Sequence, residues 1–120
     1  MSISVMIVDD EPFIHQLYRD ILEYNGFNIL AEAYDGQEAV DIYRTMEDKP
    51  RVVIMDHRMP KKDGVEATNI IKSMDPDVKI IFASADSTIK ESALTAGAVD
   101  FLSKPFQIKD LMGAIKDVSA

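Results

Sequence analysis

Cysteine is absent from the 120-residue chain, which excludes disulfides and thiolate sites. No apolar run approaches the roughly 18 residues of a membrane span. The opening MSISVMIVDD reaches acidic residues too soon to hold a signal peptide. The default expectation is a cytoplasmic address with no membrane association. Basic residues are scarce: 13 Lys and Arg face 21 Asp and Glu, a formal net charge of -8 whose field repels phosphate backbones. That balance counts against direct nucleic-acid binding. Repeats, linkers and low-complexity stretches are missing too, so the expectation is one domain over residues 1–120 with no attached output domain. A chain of this length buries roughly two-thirds of its unfolded surface, enough for a core without staples.

What the chain does contain is a regular alternation of two periodicities. Residues 3–8, 52–55 and 78–83 are short, mostly apolar and rich in β-branched residues, as strands buried on both faces are. Residues 27–34 alternate, with Phe27, Ile29, Ala31 and Ala33 expected on one side of an edge strand. Residues 99–103 make a shorter alternating run at the other edge.

Helical stripes lie between these runs: Ile14, Leu17, Ile21 and Leu22; Ala39, Ile42, Tyr43 and Met46; Ala67, Ile70, Ile71 and Met74; Ile108, Leu111, Met112, Ile115 and Val118. A fourth helix over about residues 87–96 has a thin stripe of Ile89, Ala93 and Leu94 and is expected to be the most mobile. Pro12 marks a helix start, and Asp35-x-x-Glu38 and Asp63-x-x-Glu66 read as capping boxes. Asn25-Gly26 and Ala96-Gly97 mark helix stops. Five strands alternating with five helices predict a doubly wound α/β fold with a mainly parallel sheet.

In such a sheet the functional crevice lies at the carboxyl ends of the strands. Here those ends carry Asp9-Asp10-Glu11, Asp56, Ser84 and Lys104. Close carboxylates ionise together only with a cation or with raised pKa values. With oxygen donors alone on offer, the site suits a hard ion such as Mg2+. Lys104 and the metal could share the charge of a phosphoryl group on Asp56, with the Ser84 hydroxyl donating to one of its oxygens. His15 and His57 have no metal-ligand spacing and are read as structural or surface residues, His57 pointing away from the crevice. Met6, Met55, Met74 and Met112 are read as core filling.

Together, Val8-Asp9-Asp10-Glu11, Asp56-His57-Arg58-Met59-Pro60 with Asp63-Gly64, Ala83-Ser84-Ala85, Ala96-Gly97-Ala98 and Lys104-Pro105-Phe106 form a specific pattern. Across essentially the whole chain it resembles the receiver domains of two-component response regulators, particularly the stand-alone CheY-like chemotaxis type. The resemblance implies a flavodoxin-like sheet of order 2-1-3-4-5 and phosphorylation of Asp56 from a partner's phosphohistidine. Asp10, Asp56 and the backbone carbonyl of Arg58 would ligate Mg2+, for which Mn2+ can substitute, and Asp9 would act through water. Ser84 and Lys104 would contact the phosphoryl oxygens, and the Lys104-Pro105 bond would be cis.

Phe101 falls at the family's switch-aromatic position. It would turn inward with Ser84 to reshape the face of the fourth helix, fifth strand and fifth helix. That face would include Asp100, Leu102, Lys109, Asp110 and Lys116. The partners implied are a sensor histidine kinase or phosphotransfer protein and a downstream protein target not named by the residues. A monomer is expected, with dimerisation on activation left open. The chain would have no turnover substrate and so would not be an enzyme.

Arg58 and Asp86 lie two positions beyond Asp56 and Ser84 with opposite charges, and could pair across the crevice mouth to hinder hydrolytic water. Other functions fit less well. A haloacid-dehalogenase-type phosphatase needs a second acid where Arg58 stands, and a flavodoxin-type carrier needs a phosphate loop where Asp9-Asp10-Glu11 would repel phosphate. A phosphorelay intermediate, a phosphate sink or a phosphorylation-independent scaffold of the same fold stays open.

Overall fold

A computed structural model of the chain describes residues 3–119. Of the domain expected over residues 1–120, Met1, Ser2 and Ala120 lie outside the described residues. The elements run β1 (Ser4–Val8), α1 (Pro12–Tyr24), β2 (Asn28–Ala33), α2 (Gly36–Thr45), β3 (Val52–Met55), α3 (Gly64–Met74), β4 (Lys79–Ser84), α4 (Lys90–Ala96), β5 (Asp100–Ser103) and α5 (Ile108–Ser119). A 3-10 turn over Ser87–Ile89 leads into α4. All strand pairings are parallel, and the sheet order is β2-β1-β3-β4-β5. The sheet order implied by the motifs is therefore the one found. The expected strand over 78–83 begins and ends one residue later, as β4.

Each face of the sheet carries its own apolar layer. Val5, Ile7, Ile54 and Ile81 meet Leu22 of α1 and Leu111 and Ile115 of α5. On the other face Met6, Val8, Val53 and Met55 meet Tyr43, Ala67, Ile71 and Ala93 of α2, α3 and α4. Every residue of β3 is buried, because both of its faces are covered by helices. Each fully buried side chain of this size contributes about 1.5–3 kcal/mol by leaving water.

β2 does not keep strict alternation. Val5 pairs with Ile29 but Met6 pairs with Ala31, so Leu30 is an extra residue in the ladder. Ile29 therefore joins the α1/α5 layer while Ala31 and Ala33 join the other, correcting the expectation that they share a side. The same bulge turns Glu32 toward α1, where its carboxylate meets Arg19 at 2.6 Å.

The buried line of α1 is also rotated from its expected position. His15, Tyr18 and Leu22 are buried, whereas Leu17 is 42% exposed and Ile14 and Ile21 are half-buried beside α5. Polar partners for His15 make that rotation possible, which an apolar stripe could not reveal. Met74 and Leu94 sit on the outer edges of their helices, 38% and 43% exposed, so neither fills the core as expected. Ile108 is likewise 53% exposed at the start of α5.

Helix ends follow local chemistry. Pro12 opens α1, and the Asp35 and Asp63 side chains accept from the backbone amides of Glu38 and Glu66 at 2.7 and 2.9 Å. Glu38 completes its cap on the amide of Tyr34 at 2.8 Å, one residue before the usual partner. Gly97 closes α4 at φ 116, a conformation that side chains disfavour. Within α5, a Cβ on Gly113 would meet nothing within 4 Å. Gly113→Ala should therefore raise stability by about 0.5–1 kcal/mol, read as a higher melting temperature.

Candidate functional site

The parallel sheet brings the ends of β1, β3, β4 and β5 to one edge. Asp9, Asp10, Asp56, Ser84 and Lys104 all line the crevice there, together with Arg58 and Asp86. Donor oxygens of Asp9, Asp10 and Asp56 lie within 4.8 Å of one another. Lys104 Nζ donates to Asp9 Oδ2 at 3.0 Å and stands 3.9 Å from Asp56 Oδ1. The backbone amide of His57 donates to Asp56 Oδ1 at 2.9 Å, and that of Glu11 to Asp9 Oδ1 at 3.0 Å.

Burial pushes the Asp56 carboxyl up to about 6; Lys104 opposes that rise, while the charges of Asp9 and Asp10 add to it. The Tyr18 hydroxyl below the site is raised by burial and by the same acids, Asp9 and Asp56. A cluster of carboxylates under this strain, offering oxygen donors only, fits a hard divalent cation.

Ser84, 2% exposed at the end of β4, accepts from the backbone amide of Asp86 at 3.1 Å. Its carbonyl accepts from the amide of Lys104 at 2.9 Å, which ties the β5 end to the β4 end. The Lys104-Pro105 bond is cis, as implied by the motif.

Arg58 donates to Asp86 Oδ2 at 3.1 Å, so the pair expected across the mouth is formed. Thr88 also bonds Asp86, and its hydroxyl leads Arg58 in holding the Asp86 carboxyl below its ordinary pKa. Sequence reasoning missed Thr88, although an acid two residues before a threonine is a known turn pattern.

Other candidates fall at different distances from the chemistry. His57 is absent from the crevice lining, as strand alternation predicts, and its buried Nδ1 lacks a hydrogen-bond partner among the described residues. Phe101 is buried, its ring 6.2 Å from that of Phe82 and inclined by 15°. Asp100 and Leu102 are half-buried on β5, and Lys109, Asp110 and Lys116 are exposed on α5. Leu102 packs against the α1/α5 layer, so it gives less to the outer face than its position in the sequence suggests. No helix among the described residues is long and apolar enough to cross a membrane.

Comparison with known proteins places this geometry. The model of the response regulator receiver domain family matches residues 5–116. The chemotaxis protein CheY of Bacillus subtilis is 41% identical over 117 residues, covering 96% of each chain. The chemotaxis protein CheY of Halobacterium salinarum is 42% identical over 120 residues, covering 98% of each. A chain in the crystal structure of the CheX–CheY–BeF3–Mg2+ complex from Borrelia burgdorferi superposes with a TM-score of 0.91 at 31% identity, covering 98% of this chain and 89% of that one. Acidic strand ends, an opposing lysine and these matches converge: the chain belongs to the response regulator receiver domains of two-component signalling.

Proposed function

We propose that the protein is a phosphorylation-driven switch in which Asp56 accepts a phosphoryl group. The observation that carries this reading is the position of Asp56, within 4.8 Å of two further acids and 3.9 Å from Lys104, beside buried Ser84. One Asp56 carboxylate oxygen attacks phosphorus, the P–N bond to a donor histidine breaks, and the freed imidazole takes up a proton. Lys104 leaves Asp9 for the incoming oxygens, and the Ser84 hydroxyl donates to one of them.

Asp10, Asp56 and the Arg58 carbonyl would hold Mg2+, with Asp9 acting through water. The ion supplies charge neutralisation for the phosphoryl oxygens. Support comes from the oxygen-only donor set and from the Mg2+ in the structure of the Borrelia relative. Water then hydrolyses the acyl phosphate and restores Asp56, so the cycle has no turnover substrate and the protein is a signalling switch in place of an enzyme. A kinase or phosphotransfer protein supplies the phosphoryl group, and a protein target reads the α4–β5–α5 face through Ser84 and Phe101.

Intact mass after exposure to a small-molecule phosphodonor tests the reading. Wild type should gain one phosphoryl group with Mg2+ and none with chelator, and Asp56→Asn should gain none. A wild-type protein that binds Mg2+ yet takes up no phosphoryl would instead make this fold a scaffold.

The mouth pair gives a smaller effect. Arg58→Ala and Asp86→Ala should each shorten the acyl-phosphate lifetime, because the pair screens the path of hydrolytic water. Arg58 is 81% exposed. So exposed a pair contributes little, which limits the change to roughly fivefold. Equal lifetimes in wild type and both variants would dismiss that screen.

A further inference from the structure

Outside the phosphoryl chemistry, the most deeply buried polar side chain of α1 is His15, 1% exposed. A ring buried this far needs a partner at each nitrogen. Nε2 donates to the backbone carbonyl oxygen of Asp9 at 2.7 Å, and Nδ1 meets Glu32 Oε1 at 3.0 Å. Glu32 is itself clamped by Arg19, whose Nη2 donates to both carboxylate oxygens at 2.7 and 2.6 Å. Burial works against the Glu32 carboxylate, but the hydrogen bonds from Arg19 and His15 outweigh it and hold its pKa below the usual range. Tyr34 stacks on the imidazole with ring centroids 4.0 Å apart.

The Leu30 bulge makes this relay possible. Pairing shifts from Val5–Ile29 to Met6–Ala31, so Glu32 pairs with Ile7 and shares the α1 face. An unbulged two-residue period would turn Glu32 to the other side of the sheet.

We infer that His15 is a positioning residue for the metal-binding turn, pinning the Asp9 carbonyl oxygen so that Asp10 presents its carboxylate to the crevice. This role rests on the reading of Asp9, Asp10 and Asp56 as a Mg2+ site. A peptide unit is planar, so holding its oxygen fixes the plane from which Asp10 departs. Asp9 is anchored elsewhere as well: its amide to Ala33 O at 3.1 Å, Oδ1 by the Glu11 amide and Oδ2 by Lys104. Among the described residues, the His15 contact is the one hydrogen bond given to the oxygen of the Asp9–Asp10 peptide. Asp10 is exposed, and its side chain makes no hydrogen bond among the described residues, so its backbone sets where the Cα–Cβ bond points.

Calorimetric titration of the full chain with MgCl2 tests the role, alongside NMR of the imidazole protons. His15→Phe keeps the bulk and an aromatic face for Tyr34 but removes both donors. It should weaken Mg2+ binding about tenfold, the low end for the loss of a group that orients a ligand. Glu32→Gln alters only a partly exposed residue of the relay and should weaken binding in the same direction by less. In wild type the His15 Nε2–H should give a protected resonance in metal-free protein that shifts as Mg2+ is added.

If wild type binds Mg2+ and folded His15→Phe or Glu32→Gln binds it equally well, the positioning role is overturned, even where the melting temperature falls. A His15 resonance that stays still while Mg2+ binds overturns it too. Wild type that fails to bind Mg2+ overturns the reading of the acidic crevice, and the role of His15 with it.

Discussion

Asp56→Asn should make the metal-free protein more stable at neutral pH, by up to about 3 kcal/mol, while removing its capacity for phosphoryl uptake. The reason is the cost of keeping a buried charge. The folded carboxyl is pushed from 3.8 to about 6, so the native state binds the Asp56 proton more tightly than the unfolded chain does. For a carboxyl raised in this way, stability falls as pH rises from 3.8 through about 6, and the full penalty persists above that.

Each pKa unit is worth about 1.4 kcal/mol, which sets the upper figure. Asparagine stays neutral and keeps an oxygen for the His57 amide, which donates to Asp56 Oδ1 at 2.9 Å. Denaturant unfolding of both proteins across pH in chelator checks the sign: the gap should be widest above about 6 and should close toward 3.8. Added Mg2+ should stabilise wild type more than the variant, since a ligand stabilises the state that binds it. A gap that does not change with pH would show that burial of Asp56 is not the cause.

Gly64→Ala should cost about 3 kcal/mol or more and impair phosphoryl uptake at the same time. Gly64 opens α3 directly against the end of β3. A Cβ there would lie 2.1 Å from the carbonyl oxygen of Asp56 and 2.9 Å from the Cα of His57. Both are backbone, so no side chain can swing aside. The Gly64 amide also donates to His57 O at 2.9 Å, which holds the helix start against the loop carrying Asp56 and Arg58. Relief of the clash must therefore displace that loop. Denaturant unfolding and the mass assay on the same sample measure both effects. Stability and uptake equal to wild type would mean that the loop yields freely. Gly113→Ala, a glycine-to-alanine change of opposite sign in open space, serves as the comparison.

Much of the site was legible because a parallel sheet orders chemistry by strand ends. Once the apolar runs at β1, β3, β4 and β5 were recognised, Asp9, Asp10, Asp56, Ser84 and Lys104 had to fall on one edge. The caps at Asp35 and Asp63 were equally legible, since their partners lie three residues away.

Contacts between distant segments were not legible in the same way. The close approach of Gly64 to Asp56, the exposed Met74 and the rotated face of α1 depend on how packed elements meet. His15 looked like an isolated histidine because its partner Glu32 lies 17 residues away, turned toward it by one extra residue in β2.

The chain's sequence alone determined the alternating elements, the parallel sheet and the identities of the groups at its carboxyl edge, because periodicity and local capping are short-range properties. The tertiary structure alone decided how those groups are held: Lys104 against Asp9 across 95 residues, Glu32 swung to His15 by a bulge, and Asp56 buried enough to raise its pKa. Burial and hydrogen bonding are set by which segments meet in space, and no window along the chain contains both partners.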